Sequence, residues 1–130
     1  MRFIVGENSS QSLNETKSEL SVFEVTGEKA VNLSVLDSSI GSDLTGLMGR
    51  EDINGFVSKL KDRGTSLPLD TIVPALPVAR PGKVICLGLN YPDHIKEGDY
   101  QVPDYPALCM RGTTSLMPAG ETMICAGFPT

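Results

Sequence analysis

The stretch Lys83-Val84-Ile85-Cys86-Leu87-Gly88-Leu89-Asn90-Tyr91-Pro92-Asp93-His94-Ile95-Lys96-Glu97-Gly98 decides how this chain of 130 residues is read. The apolar run from Val84 to Leu87 shows no polar alternation, which is the pattern of a strand covered on both faces. Gly88 ends that run. Pro92, with its fixed φ, suits the first position of a short helix that Gly98 can terminate. His94 and Glu97 then stand at i and i+3 on one helical face. At that spacing the carboxylate can accept a hydrogen bond from one imidazole nitrogen and leave the other as a base toward water, and its charge stabilises the imidazolium formed next. The same spacing also describes an ordinary surface His with a nearby Glu. A metal site built from His94, Glu97 and Asp99 is disfavoured, because three ligands so close on one turn rarely converge. The Gly88-Leu89-Asn90 turn lacks the Gly-x-Gly-x-x-Gly pattern of dinucleotide sites.

Upstream, Pro68, Pro74, Pro77 and Pro81 make residues 67 to 82 extended and unable to continue a helix. The domain boundary is placed there, dividing the chain into an N-terminal hairpin and helix region, 1–76, and the beginning of a second domain, 77–130. Within the first, residues 2 to 5 read as a short strand and the polar stretch from Glu7 to Glu19 as a loop. Leu20 to Val25 and Ala30 to Leu36 read as a hairpin turning at Thr26-Gly27-Glu28-Lys29, with one wet face. Asp43 is expected to cap a helical turn over Leu44 to Met48. From Glu51 to Arg63 a helix is expected, because Ile53, Phe56, Val57 and Leu60 fall on one face and Gly64 can adopt the left-handed stop conformation. Downstream, Ala107 to Met110 and Thr122 to Cys125 are strand candidates.

Composition narrows the function classes. Acidic residues number 16 against 11 basic ones, for a net charge of −5 with no long Lys/Arg run, which gives nucleic acid phosphates little to hold. No apolar stretch reaches the roughly 20 residues that cross a bilayer, and the first residues lack the apolar core of a signal peptide, so a cytoplasmic protein is expected. The three cysteines, Cys86, Cys109 and Cys125, are widely spaced and accompanied by one His, which argues against structural zinc. Cys86 and Cys109 sit in apolar strand-like runs and read as buried and inert rather than as nucleophiles.

Pro81, Lys83, Val84, Ile85, Gly88, Asn90, Tyr91, His94 and Glu97 together resemble the opening of the catalytic domain in the fumarylacetoacetate hydrolase family. The similarity continues through Pro103, Pro106-Ala107-Leu108 and Arg111-Gly112-Thr113-Thr114-Ser115-Leu116 to Pro118, while residues 1 to 80 agree with the family in layout only. The resemblance implies an α+β, β-rich protein: a small N-terminal domain followed by the start of a truncated mixed-sheet β-roll of the fumarylacetoacetase type. It implies a hydrolase or decarboxylase that cleaves carbon-carbon bonds in 1,3-dicarbonyl or 2-oxo acid substrates, using Mg2+ or Mn2+ in the complete enzyme. By the same resemblance His94 is the general base, Glu97 its orienting partner, and Asn90, Tyr91 and Arg111 face the substrate. Arg111 stands where many members carry Lys, and the two differ in geometry.

The family's metal ligands, a Glu-x-Glu pair and a later carboxylate, are expected beyond the last strand candidate, so no metal ligand is assigned here. The chain is accordingly read as an N-terminal portion, inactive alone, of an enzyme whose full-length form is a homodimer. The alternative is a non-catalytic interaction module derived from that family.

Overall fold

The computed structural model describes residues 1–9, 19–98, 101 and 103–123, the side chain of His94 apart. The chain divides into two units, one built on Met1–Ala79 and the other on Arg80–Leu116.

The first unit grows from a hairpin. Strands β2 (Ser21–Thr26) and β3 (Lys29–Asn32) pair antiparallel with Thr26 opposite Lys29, leaving Gly27 and Glu28 to make the turn. Gly27 has φ 60° and Glu28 stays in the negative region, the type II′ pattern that places Gly first and matches the twist of the strands. Strand β1 (Phe3–Asn8) pairs with β2, setting Val5 opposite Val22. The short strands β4 (Ser66–Pro68) and β5 (Ile72–Pro74) form the two edges, giving the order β4-β3-β2-β1-β5. Pro68 and Pro74 are tolerated because edge strands need not donate on both sides.

Connectivity then bends the sheet. The two edges are joined only by Leu69–Thr71, one 3-10 turn. Neighbouring strands lie about 4.8 Å apart, so the edges of a flat five-stranded sheet would stand about 19 Å apart. Four residue steps from Pro68 to Ile72 span about 14 Å at most. The sheet must therefore curl. Backbone hydrogen bonds hold the connection, from Leu69 N–H to the Glu28 carbonyl and from Ser9 N–H to the Thr71 carbonyl, each 2.9 Å. Phe23, Val25, Ala30 and Ile72 bury together with Ile4, Leu67 and Leu69. Apart from Leu69 of the 3-10 connection, no helix residue belongs to that group, so it fills the inside of the curl.

The outer face of the sheet takes the helix α2 (Ile53–Lys61). Val57 and Leu60 bury against Val5, Val22 and Val31, with Ile53 and Phe56 packed at the margin; all four apolar positions expected to share a face join this layer. The helix starts later than Glu51, because the Asp52 carboxylate accepts the Gly55 N–H (2.9 Å) and caps it. Glu24 lies on this face, 5% exposed, accepting from the Thr26 hydroxyl at 3.1 Å and standing 3.7 Å from Lys61 Nζ.

Three expectations about this unit are corrected. The second hairpin strand stops at Asn32 and Leu33–Leu36 form a helical turn, α1. The Asn32 side chain caps it by accepting the Val35 N–H (3.1 Å), and the Ser34 hydroxyl accepts the Val22 N–H (2.8 Å) while donating to the Gly41 carbonyl (2.6 Å). Leu33 is thereby buried and Val35 exposed, against the strand-like alternation. Nor does the hairpin have a wet face, since Ser21 to Val25 are all buried between the curl and α2. Finally, Gly64 is not in the left-handed region. A Cβ there would collide with Val31 Cγ1 and stand 2.9 Å from Leu36 Cδ1, so close packing is what requires glycine.

Asp43 caps the 3-10 turn Leu44–Gly46 by accepting the Thr45 N–H at 2.9 Å. Its other oxygen accepts the Ala79 N–H at 3.0 Å, tying the proline-rich stretch to the unit. Hydrogen bonds from the Thr45 hydroxyl, then from the Ala79 and Thr45 amides, hold this carboxyl below the ordinary carboxylate value.

In the second unit, strands β6 (Val84–Gly88) and β7 (Ala107–Arg111) form an antiparallel ribbon, with helix α3 (Pro92–Glu97) between them in sequence. The expected cover on both faces of β6 is not found among the described residues: Val84, Cys86 and Gly88 are half-buried, and Ile85 and Leu87 are exposed. Ile85 pairs with Met110 and Leu87 with Leu108 on one face, and these four are 61%, 68%, 47% and 68% exposed, respectively. A run without alternation reports two faces that ask for cover, and a two-stranded ribbon offers no second layer to supply it. Cys109 is exposed and Cys86 half-buried, which corrects their reading as buried thiols. Thr122 and Met123 have no regular structure, and the rest of that strand candidate, with Cys125, lies outside the described residues. The architecture is α+β with antiparallel sheets.

Gly64→Ala is expected to destabilise the first unit by about 1–3 kcal/mol through overpacking against Val31; an unchanged urea midpoint would refute the close-packing account. Asp43 contributes stability above its ordinary value, because its folded-state pKa is depressed, and that contribution is lost as pH falls below about 4. Asp43→Asn should therefore show a shallower loss of stability than the parent between neutral pH and about pH 3, read as melting temperature against pH. The bare face of the ribbon should drive self-association, which light scattering detects; Ile85→Lys with Leu108→Lys should reduce it, and an unchanged association would place the contact elsewhere.

Candidate functional site

Asn90, Tyr91 and the helix that carries His94 and Glu97 follow the end of β6. After Gly88 the backbone turns through Leu89, whose φ of 51° is the one positive value outside glycine among the described residues. A leucine there costs roughly 1–2 kcal/mol, so the surrounding turn holds it in a shape it would not choose. Asn90 and Tyr91 follow, both exposed, and lead into α3. Six residues are too few for a helix to persist unaided. Pro92 pre-sets the first turn, the Ile95 N–H donates to the Tyr91 carbonyl (3.2 Å), and Ile95 is buried at 7% exposure. These fix the helix, and Pro92, Asp93, Lys96 and Glu97 on it are exposed.

His94 lies within α3, and the placement of its side chain lies outside the described residues. Glu97, at the end of the same helix, is exposed. Lys96 Nζ stands 3.5 Å from Asp93 Oδ1 across one turn, with both side chains largely in solvent, a pair of little energetic weight. Beside the β6 end a concavity of about 270 Å³ is lined by Leu87, Gly88, Leu89 and Asn90 on one side and by Asp104, Tyr105 and their flanking prolines on the other. Asp104 and Tyr105, which line this concavity, carry no role in the sequence reading. The signal available was Pro103 and Pro106, which stiffen the arm that brings the chain back to β7 at Ala107.

The ribbon separates the remaining residue from these. Gly88 is opposite Ala107 whereas Arg111 is opposite Val84, so the Arg111 backbone sits about 13 Å along the strand from the Asn90 end. Arg111 is exposed. Among the described residues no group of three or more His, Cys, Asp or Glu side chains comes together to hold a metal ion. No helix among them is long and apolar enough to cross a membrane.

Comparison with known proteins gives a consistent relationship. The chain is 29% identical over 93 residues to oxaloacetate tautomerase FAHD2A, mitochondrial, of Homo sapiens, covering 70% of this chain and 30% of that protein. It is 28% identical over 93 residues to fumarylacetoacetate hydrolase domain-containing protein 2 of Pongo abelii, with the same coverage. An uncharacterized protein of Archaeoglobus fulgidus is 39% identical over 61 residues, 47% of this chain and 24% of that protein. No family model and no solved structure matches. The chain spans about 30% of the length of the first two relatives. Across that span it is a relative of the fumarylacetoacetate hydrolase domain proteins.

Proposed function

We propose that this chain supplies the general-base segment of a fumarylacetoacetate-hydrolase-type enzyme acting on 2-oxo acid or 1,3-dicarbonyl substrates. The observation that supports it is the placement of His94 and Glu97 on one short helix that leaves β6 beside the concavity containing Asn90. In this reading neutral His94 takes a proton, and Glu97 orients the imidazole and stabilises its cation. Asn90 and Tyr91 offer hydrogen bonds to substrate oxygens, and the Arg111 guanidinium meets a carboxylate or oxyanion.

Two reactions share that proton transfer. If the proton comes from water, hydroxide attacks the carbonyl and the carbon-carbon bond breaks with an enolate leaving. If it comes from the carbon next to the 2-oxo group and the 2-oxo oxygen takes up a proton in turn, the product is the enol tautomer, the reaction named for the human relative. The described residues do not fit a divalent metal; Mg2+ or Mn2+ is assigned to the complete enzyme, and none of these steps runs through it. The same reading makes residues 77–130 the start of the family's mixed-sheet β-roll and the complete enzyme a cytoplasmic homodimer. Cell fractionation distinguishes that location from the mitochondrial one in the human relative's name.

In a form of the protein that turns over an acylpyruvate or oxaloacetate, His94→Ala should lower turnover by about two to four powers of ten. Glu97→Gln should act in the same direction and less severely, since it keeps a hydrogen-bonding group but loses the charge. Normal turnover by His94→Ala would return the residue to an ordinary surface histidine and favour a non-catalytic interaction module.

A further inference from the structure

The register of the ribbon sets Cys86 directly opposite Cys109. Side chains alternate along a strand, so the pair lies on the face away from Ile85, Leu87, Leu108 and Met110. Both thiols are free, Cys109 exposed and Cys86 half-buried. From this juxtaposition we propose that Cys86 and Cys109 form a redox-active dithiol that closes reversibly into a cross-strand disulfide. The proposal stands on the strand register alone and is independent of the reaction assigned to His94.

Directly opposed residues of an antiparallel pair have Cβ atoms about 4.5–5.5 Å apart, against about 3.5–4.5 Å in a disulfide. Closure thus asks for a shift of order 1 Å. A two-stranded ribbon with Cys109 exposed and Cys86 half-buried can make that shift, where a packed core would resist it. A bond closed under such constraint is readily reduced again, as strained and accessible disulfides are. The oxidant required is a small-molecule disulfide. The exposed Cys109 thiolate attacks one of its sulfurs, forming a mixed disulfide and releasing one small thiol. The Cys86 thiolate then attacks the Cys109 sulfur and releases the second. Two protein thiols are oxidised, one small disulfide is reduced to two thiols, and the two protons pass to the departing thiolates. The new bond would fix the base of the segment that runs from Leu89 to Pro106, including the Asn90 turn and α3.

The test uses the full chain, reduced and then equilibrated at low protein concentration with mixtures of oxidised and reduced glutathione. Intact mass after alkylation should show two thiols lost and no glutathione retained, and peptide mapping should recover Cys86 joined to Cys109. Cys125→Ser should behave identically. Cys86→Ser should stop at a glutathione adduct on Cys109, because the resolving thiol is gone. In the oxidised parent, amide exchange over Val84–Gly88 and Ala107–Arg111 should slow by at least about tenfold. Linkage through Cys125, linkage between chains, or a parent that stalls at the glutathione adduct would each overturn the proposal.

Discussion

The single 3-10 turn from Leu69 to Thr71 governs the first unit more than any packed side chain does. It joins two strands that lie at opposite edges of one sheet, and its reach is shorter than the width of that sheet laid flat. Curling is therefore a consequence of chain length. Once curled, the sheet has an inside that its own side chains fill, with Phe23 fully buried although no helix covers it. The outside is then free to take α2. Two hydrophobic layers arise from five short strands, α2 and the turns that carry Leu33, Ile40 and Leu47, which explains how β2 is buried along almost its whole length.

Polar groups adjust the edges of this arrangement. Asn32, Asp37, Asp43 and Asp52 each accept a backbone N–H at the start of a turn or helix, so the long link from β3 to β4 is punctuated by caps rather than left as an unstructured loop. Arg50 adds a second kind of fastening: its guanidinium lies 4.0 Å from the Phe56 ring centroid and donates to the Gly46 carbonyl and the Ser39 hydroxyl. Every one of these contacts spans a short stretch of chain, so this region can form early and locally.

The second unit obeys a different constraint. Its ribbon has no second layer among the described residues, and the candidate residues Asn90, Tyr91 and Glu97 are presented by backbone geometry: the positive φ at Leu89, the Pro92 start of α3 and the buried Ile95. The same openness leaves the apolar face of the ribbon in solvent, while on the face bearing the cysteine pair β6 is half-buried and β7 exposed. The relatives are about three times as long as the matched span.

The sequence by itself determined the elements whose causes are local. Apolar spacing at Ile53, Phe56, Val57 and Leu60 specified α2, Gly27 specified the β2–β3 turn, and Pro92 with its flanking glycines specified α3, because helix periodicity and turn stereochemistry act over a few residues. The motif from Pro81 to Glu97 likewise carried the family relationship. Only the tertiary structure decided the strand character of Ser66–Pro68 and Ile72–Pro74, which looked merely proline-rich until their positions at the sheet edges were set. It also turned Leu33–Leu36 into a helix, through a cap at Asn32 and contacts of Ser34 with Val22 and Gly41. The opposition of Cys86 to Cys109 and the approach of Asp104 and Tyr105 to Asn90 belong to the same class. Each depends on pairing between segments distant in sequence, and neither periodicity nor propensity encodes a register.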